Sequence, residues 1–223
     1  MNTWRGDRGN SQLIVASLGH LAIGMCAGRA FANDARDTHQ ASVHPASVMA
    51  IFAGLALLPD LDYVAVSLGL PDEGPLGHRG AAHSLVLPLL AAGVALAVAR
   101  RLQLPASRLG LAVGLVVTSH AVLDAMTGGG SRGVPLLWPF CFHRFEAPWR
   151  PIPNAPCGLA YISRRGLAVA VTELVQFSPF LLYALRPRVL PRVLPRLMVR
   201  ARRGCAAQRQ AASPAAAAPL PGE

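Results

Sequence analysis

The 223-residue chain is 52% hydrophobic, has charged side chains at only 14% of its positions and has a mean hydropathy of +0.39. This composition excludes an ordinary soluble domain and predicts an integral membrane protein. The formal net charge is +10, but eight of the 21 basic residues lie between Arg186 and Arg209, after the last apolar stretch. The excess charge therefore belongs largely to a tail, and it does not indicate specific binding of nucleic acid.

The first apolar stretch, Leu13 to Ala32, follows a short N-terminal segment of residues 1–12. His20 lies within the stretch, and no clear cleavage site follows, so a membrane span is favoured over a signal peptide. An Ala-Phe-Ala sequence at its end leaves the signal peptide open as an alternative. Gly24 and Gly28 have the small-xxx-small spacing that lets membrane helices approach closely, although chance explains this pair equally well in a Gly-rich chain.

The second apolar stretch, Ala46 to Leu70, contains two carboxylates, Asp60 and Asp62. On a regular helix these positions point to different sides. Pro59 removes a backbone donor and can bend the span, and irregular backbone at membrane depth is tolerated where it lines a cavity. A bend would let both carboxylates face one cavity. The alternative is that the span ends near Leu58 and that both Asp side chains are solvated.

The third apolar stretch, Ala82 to Ala99, is preceded by a segment that contains His78, Arg79 and His83. Imidazoles are common zinc ligands, and a guanidinium offers a planar fork for a carboxylate or a phosphate. Two His at i and i+5 are weak evidence when taken alone. Ser84 is interpreted as a cap of the following helix.

The fourth apolar stretch, Leu109 to Met126, contains His120 and Asp124 at i and i+4. On a helix they lie on one face, about 6 Å apart. This spacing suits two ligands of one metal ion, or an Asp that orients a liganding His. The alternative is a buried pair whose members only satisfy each other.

A fifth apolar stretch, Gly166 to Leu185, completes the prediction of an all-α, polytopic membrane helix bundle of about five spans over residues 13–185. The remaining residues, 186–223, are rich in Arg, Pro and Ala and are predicted to be disordered or to lie against anionic head groups. The Arg distribution places six candidate ligands toward the outer side of the membrane, with His20 nearer mid-depth. These six are Asp60, Asp62, His78, His83, His120 and Asp124.

Ionisable side chains in apolar membrane spans carry a free-energy cost. A charged side chain near a bilayer centre costs at least about 2.5 kcal/mol, so clustered examples usually pair, ligate or face water. The placement of these side chains toward one side of the membrane therefore predicts a metal site.

In the long outer loop, Trp138 and Trp149 are interpreted as interface residues, and a disulfide between Cys141 and Cys157 is a hypothesis if that loop is periplasmic.

The ordered motifs resemble those of a bacterial inner-membrane family of metal-dependent hydrolases, whose founding member is a LexA-regulated membrane protein. The resemblance covers roughly residues 19–153, and it implies a multi-pass protein of the inner membrane with His and Asp as metal ligands. Ala82 departs from the pattern, because Thr commonly precedes the His-Ser pair, and the Arg-rich tail has no counterpart. The matching motifs are Gly19-His20, Pro59-Asp60-Leu61-Asp62, His78-Arg79-Gly80-x-x-His83-Ser84, His120-x-x-x-Asp124 and Leu137-Trp138-Pro139-Phe140.

A more distant similarity to zinc-dependent phospholipase C enzymes suggests hydrolysis of a lipid-like phosphoester. On this hypothesis Asp60 or Asp62 serves as general base, Arg79 contacts an anionic group, and one or more divalent metal ions, zinc as the first guess, are held by His and Asp. The expected partners are membrane lipids and a small-molecule or lipid-like substrate. The alternatives are an ion- or proton-binding membrane protein or transporter component, and a structural membrane protein. The expected ligands are His78, His83, His120 and Asp124, with Asp60 or Asp62 and with His20.

Overall fold

The computed structural model describes residues 18–37, 44–72, 74–129, 132–156 and 161–186. Within these residues the chain is helical, without a named strand, so the predicted all-α fold is confirmed for the described part. The N-terminal segment, nearly all of the tail, and Cys157 with its hypothesised disulfide lie outside these residues. The helices are α1 (Leu18–Asp37), α2 (Pro45–Ala56), α3 (Asp62–Ser67), α4 (Val86–Arg101), α5 (Ala106–Ala125), α6 (Arg164–Gln176) and α7 (Ser178–Leu185).

The helices α1 and α2 pack at very short range. A Cβ atom placed on Gly24 would lie 2.7 Å from Ala53 Cα, and one placed on Gly28 would lie 2.8 Å from Met49 Cα. Only a residue without a side chain allows the two backbones to approach this closely. The small-xxx-small pair in the first apolar stretch therefore has a packing role.

The second apolar stretch is broken, as the sequence indicated. Helix α2 ends at Ala56, a short 3₁₀ turn spans Leu58–Leu61, and α3 continues at an angle of 58°. Pro59 is buried in the turn. The two Asp of this segment are only 18% and 6% exposed, which contradicts the alternative that both are solvated.

Two apolar clusters hold α1, α2, α5 and α6 together. Helix α5 contributes to both, and His120 lies between its two contributions along the helix. Burial of apolar side chains on both sides keeps this segment of α5 fixed against its neighbours. The buried members are Ala32, Val48, Phe52, Ala56 and Val116 in one cluster, and Ala22, Leu123, Ile152 and Phe177 in the other.

The prediction of five spans is not confirmed. Within the described residues only α5 is long and apolar enough to cross a membrane by itself, and the count rises to three if each bent helix pair is one span. The bent pairs are α2 with Leu58–Ser67 and α6 with α7. Helix α4 has 16 residues, fewer than the roughly 20 that a span requires. Helix α1 reaches 20 residues but contains Arg29 and Asp34.

The long loop after α5 is attached to the start of α4. Leu85 donates its backbone N–H to the Leu136 carbonyl at 3.0 Å, and Val134 pairs with Phe145 in an isolated antiparallel bridge. Phe140 at 93% exposure and Trp149 at 70% project from the loop. The loop therefore covers the end of the helices that carries the predicted ligands while leaving large aromatic side chains on its outer surface.

Candidate metal centre

The structure brings all seven predicted ligands into one cluster. They come from α1, the break after α2, the segment before α4, and the last turns of α5. His83 and His120 are fully buried, and His20 and Asp124 are each 4% exposed. The members are His20, Asp60, Asp62, His78, His83, His120 and Asp124.

The ring of His120 is oriented by the break in the second stretch. Its Nδ1 lies 2.7 Å from the carbonyl oxygen of Ala56, the last residue of α2. Carbonyls at a helix C-terminus lack intrahelical donors, and a carbonyl oxygen can only accept, so Nδ1 carries the hydrogen. In the neutral imidazole the lone pair is then on Nε2, which faces the cluster.

Asp62 is hydrogen-bonded to His78 and lies close to the second imidazole, that of His83. Its Oδ2 lies 3.1 Å from His83 Nδ1, accepts from the Arg79 backbone N–H at 3.1 Å, and its Oδ1 lies 2.9 Å from His78 Nδ1. Three nitrogens thus surround this carboxylate. With Nδ1 of His83 directed toward Asp62, Nε2 of His83 faces His120.

Two imidazole nitrogens lie close to each other and to two carboxylate oxygens. The Nε2 atoms of His83 and His120 are 3.1 Å apart. Asp124 Oδ2 lies 3.2 Å and 3.9 Å from these two nitrogens, and Asp60 Oδ1 lies 3.7 Å and 3.3 Å from them. Ligands of a tetrahedral zinc ion at ordinary bond lengths are separated by about 3.3–3.5 Å. The five separations bracket that value, so the spacing of the two imidazole nitrogens from each other and from each carboxylate oxygen is compatible with shared binding of a divalent ion.

His20 lies beside this group. Its ring centroid is 4.0 Å from that of His120, and its Nε2 is 3.6 Å from Asp124 Oδ1. Neither ring nitrogen has a hydrogen-bond partner in the described part of the chain. A buried polar atom left unsatisfied costs about 1–3 kcal/mol, so a ligand for His20 would remove a penalty.

The donor atoms also form two groups of three, within each of which all atoms lie within 4.8 Å of one another. One group is His20, His120 and Asp124, and the other is Asp60, His78 and His83. Two adjacent ions are therefore compatible with the geometry, as well as one.

Arg79 lies against the carboxylate of Asp124. Its Nη2 donates to Oδ1 at 3.2 Å, and its Nε lies 3.1 Å from Oδ2. Hydrogen bonds between a guanidinium and a carboxylate are among the stronger ones in proteins. The third nitrogen, Nη1, is buried without a hydrogen-bond partner in the described residues. It is the one donor of this guanidinium that remains for another acceptor.

Sequence reasoning missed two residues that support the cluster. Glu173 of α6 is 1% exposed and accepts the Leu18 backbone N–H, at the start of α1, at 2.8 Å. As the sole acid of the fifth apolar stretch it was a visible signal. Arg144 of the long loop donates to the carbonyl of Arg79 at 2.9 Å. Its place in the loop gave no signal.

Comparison with known proteins identifies the family and its location. The family described as YdjM inner membrane protein matches residues 15–188. The inner membrane protein YbcI of Escherichia coli (strain K12) is 37% identical over 129 residues, which cover 56% of this chain and 74% of that protein. No solved structure matches the chain. Family and relative are both named for the inner membrane, the predicted location, and most of the chain is matched. The chain belongs to the YdjM inner membrane protein family.

Proposed function

We propose that this protein is a membrane-bound, metal-dependent hydrolase. The observation that supports the proposal most directly is that two imidazole nitrogens lie 3.1 Å from each other and 3.2–3.9 Å from each of two carboxylate oxygens. Imidazole and carboxylate are ligands that zinc accepts, so zinc is the first ion to test. The residues that would hold it are His83, His120, Asp60 and Asp124, and His20 and His78 are close enough to join an expanded or second site.

A divalent ion at this point would polarise a substrate oxygen and lower the pKa of a water from about 15.7 toward about 7. The chain's own residues would orient the participants. The Ala56 carbonyl directs His120 so that its lone pair points inward, and the Asp62 carboxylate lies 3.1 Å behind His83 Nδ1. Orientation by such outer partners raises the basicity of liganding imidazoles.

Asp60 is the carboxylate that we propose as general base: its Oδ1 would contact the ion, and its Oδ2 would be left to accept a proton. Asp62 is already surrounded by three nitrogens, and Asp124 is engaged by Arg79. The Asp60 side chain is 18% exposed, whereas those of Asp62 and Asp124 are each 6% exposed. An attacking water can therefore reach Asp60 most easily, and the carboxylate would accept its proton.

Arg79 would contact an anionic group of the substrate. Its unpartnered Nη1 and its contact with Asp124 place a fixed positive charge at the edge of the cluster. Arginine recognises phosphate through this planar fork. Because the chain is an inner membrane protein, we propose a lipid-like phosphoester as the substrate, with its head group at the cluster and its apolar part in the bilayer.

The second candidate function is ion or proton binding without hydrolysis. The observation that favours it is the 3.1 Å separation of His83 Nε2 and His120 Nε2. The two nitrogens can share a proton in a hydrogen bond whose donor is set by the tautomers, so a proton suits this pair as well as a metal ion does. The same cluster could then carry protons or ions.

Metal analysis of the purified protein separates the candidates. We expect at least one equivalent of divalent metal, lost in His120→Ala and Asp124→Ala but retained in His143→Ala, whose His contacts Phe145. Absence of metal from the wild-type protein would exclude the hydrolase. If metal is bound, hydrolysis of a short-chain phospholipid decides between enzyme and ion carrier.

A further inference from the structure

The backbone of Arg79 adopts an uncommon conformation. Its φ is +57°, in the left-handed region that residues with a Cβ rarely occupy. Such conformations persist only where the surroundings hold them, and they are concentrated at functional sites. The chain is also tightly packed at the next residue, since a Cβ placed on Gly80 would collide with the carbonyl of Pro75.

Contacts on both sides hold the Arg79 backbone in place. On one side its N–H donates to Asp62 Oδ2 at 3.1 Å. On the other side its carbonyl accepts from Arg144 Nη1 at 2.9 Å, and the same nitrogen donates to the Gly133 carbonyl at 3.3 Å. Asp62 belongs to the cluster, whereas Arg144 belongs to the long loop, 65 residues away from Arg79 in sequence.

The loop is shaped to present these groups. Gly133 has a φ of +64°, and a Cβ there would lie 2.7 Å from the Phe145 carbonyl oxygen, so the close approach requires glycine. Val134 and Phe145 exchange backbone hydrogen bonds of 3.1 Å and 2.8 Å, which brings Arg144 and Gly133 side by side.

The electrostatics of Arg144 do not favour its position. Burial lowers the pKa of its guanidinium, and the charges of Arg132 and Arg79 lower it further. Arg132 is paired with Asp72, whereas Arg144 donates to two carbonyls. The charge of Asp72 acts in the opposite direction. The two hydrogen bonds to backbone carbonyls indicate that Arg144 has a structural role.

We propose that Arg144 is a positioning residue, which acts through the Arg79 carbonyl to hold the Arg79 guanidinium on Asp124 with Nη1 directed to an anionic group. The long loop thereby becomes part of the site. The inference rests on the proposed function only in the role of Arg79 as the anion contact. The placement of the Arg79 turn by Arg144 can be tested without metal or activity.

Trypsin provides that test, because the carbonyl that Arg144 contacts is the carbonyl of the Arg79–Gly80 bond. In metal-free, full-length protein we expect Arg144→Gln to accelerate cleavage at this bond about tenfold, since a lost charge-assisted hydrogen bond releases the turn. Arg144→Lys retains a charged donor and should give an intermediate rate. Arg132→Gln is the matched control, since it removes the same charge nearby without touching Arg79. Equal cleavage of wild type and Arg144→Gln, or equal acceleration in Arg132→Gln, overturns the proposal.

Binding of inorganic phosphate to the zinc-loaded protein tests the consequence for the site. We expect Arg144→Gln to bind phosphate about tenfold more weakly at unchanged zinc content, with partial recovery in Arg144→Lys. Unchanged phosphate affinity in Arg144→Gln contradicts the positioning role. If the wild-type protein holds no zinc, the proposed hydrolase fails, and the trypsin result still decides the role of Arg144.

Discussion

Asp62 and His83 are joined through Asp62 Oδ2 and His83 Nδ1, 3.1 Å apart. Asp60 and Asp62, the two carboxylates of the Pro59 segment, therefore have different roles. Asp60 has an oxygen 3.3 Å from the inward-facing nitrogen of His120, whereas Asp62 lies behind the imidazoles of His83 and His78. A carboxylate behind a liganding imidazole fixes its tautomer and orientation.

The first prediction concerns this carboxylate. Asp62→Asn should weaken zinc binding by about 10–100-fold, the range seen when an outer partner of a liganding His is removed. The readout is competition with a chromophoric chelator. Asp72→Asn, at an exposed Asp paired with Arg132, is the control and should leave the affinity unchanged. Complete loss of zinc in Asp62→Asn would instead make Asp62 a direct ligand.

The second prediction concerns His20, whose ring nitrogens have no hydrogen-bond partner in the described residues. If a metal satisfies them, His20→Ala should reduce zinc affinity by about tenfold or more, because one donor of the group with His120 and Asp124 is removed. His143→Ala is the control. Unchanged zinc affinity and stoichiometry in His20→Ala would assign His20 to packing alone.

The third prediction concerns the α1–α2 contact. In Gly24→Ala the new Cβ would lie 2.7 Å from backbone atoms of Ala53 and Phe52, which cannot move independently of their helix. We expect a loss of about 1–3 kcal/mol in the free energy of unfolding. Gly54→Ala is the matched control, since nothing lies within 4 Å of its added methyl group. Thermal unfolding in detergent should show a lower midpoint only for Gly24→Ala.

The fourth prediction concerns Glu173. Its carboxylate accepts the Leu18 N–H at 2.8 Å, a donor of the kind that the first turn of a helix leaves unpaired. Glu173→Ala should lower the free energy of unfolding by about 1–3 kcal/mol, and Glu173→Gln, which keeps an acceptor oxygen, by less. Glu146→Ala, at a half-exposed pair with Arg150, should have a small effect. Equal midpoints for Glu173→Ala and Glu146→Ala would rule out the supporting role.

Much of the candidate site could be predicted because its information is local. The spacing of His120 and Asp124 places them on one helix face, and the structure has their Nε2 and Oδ2 atoms 3.9 Å apart. Pro59 cannot donate a backbone hydrogen bond, so a break near it was expected, and the chain bends there by 58°. The number of spans was less predictable, because apolar composition does not reveal where a helix ends.

The sequence by itself determined the kind of protein and the residue types of the cluster. It could do so because the cost of ionisable groups in apolar stretches depends on composition and on local periodicity. Only the tertiary structure decided which nitrogen of each imidazole faces inward, that Glu173 supports α1, and that Arg144 reaches Arg79. These contacts join residues 37 to 155 positions apart. They depend on how helices and loop pack against one another, which no local pattern specifies.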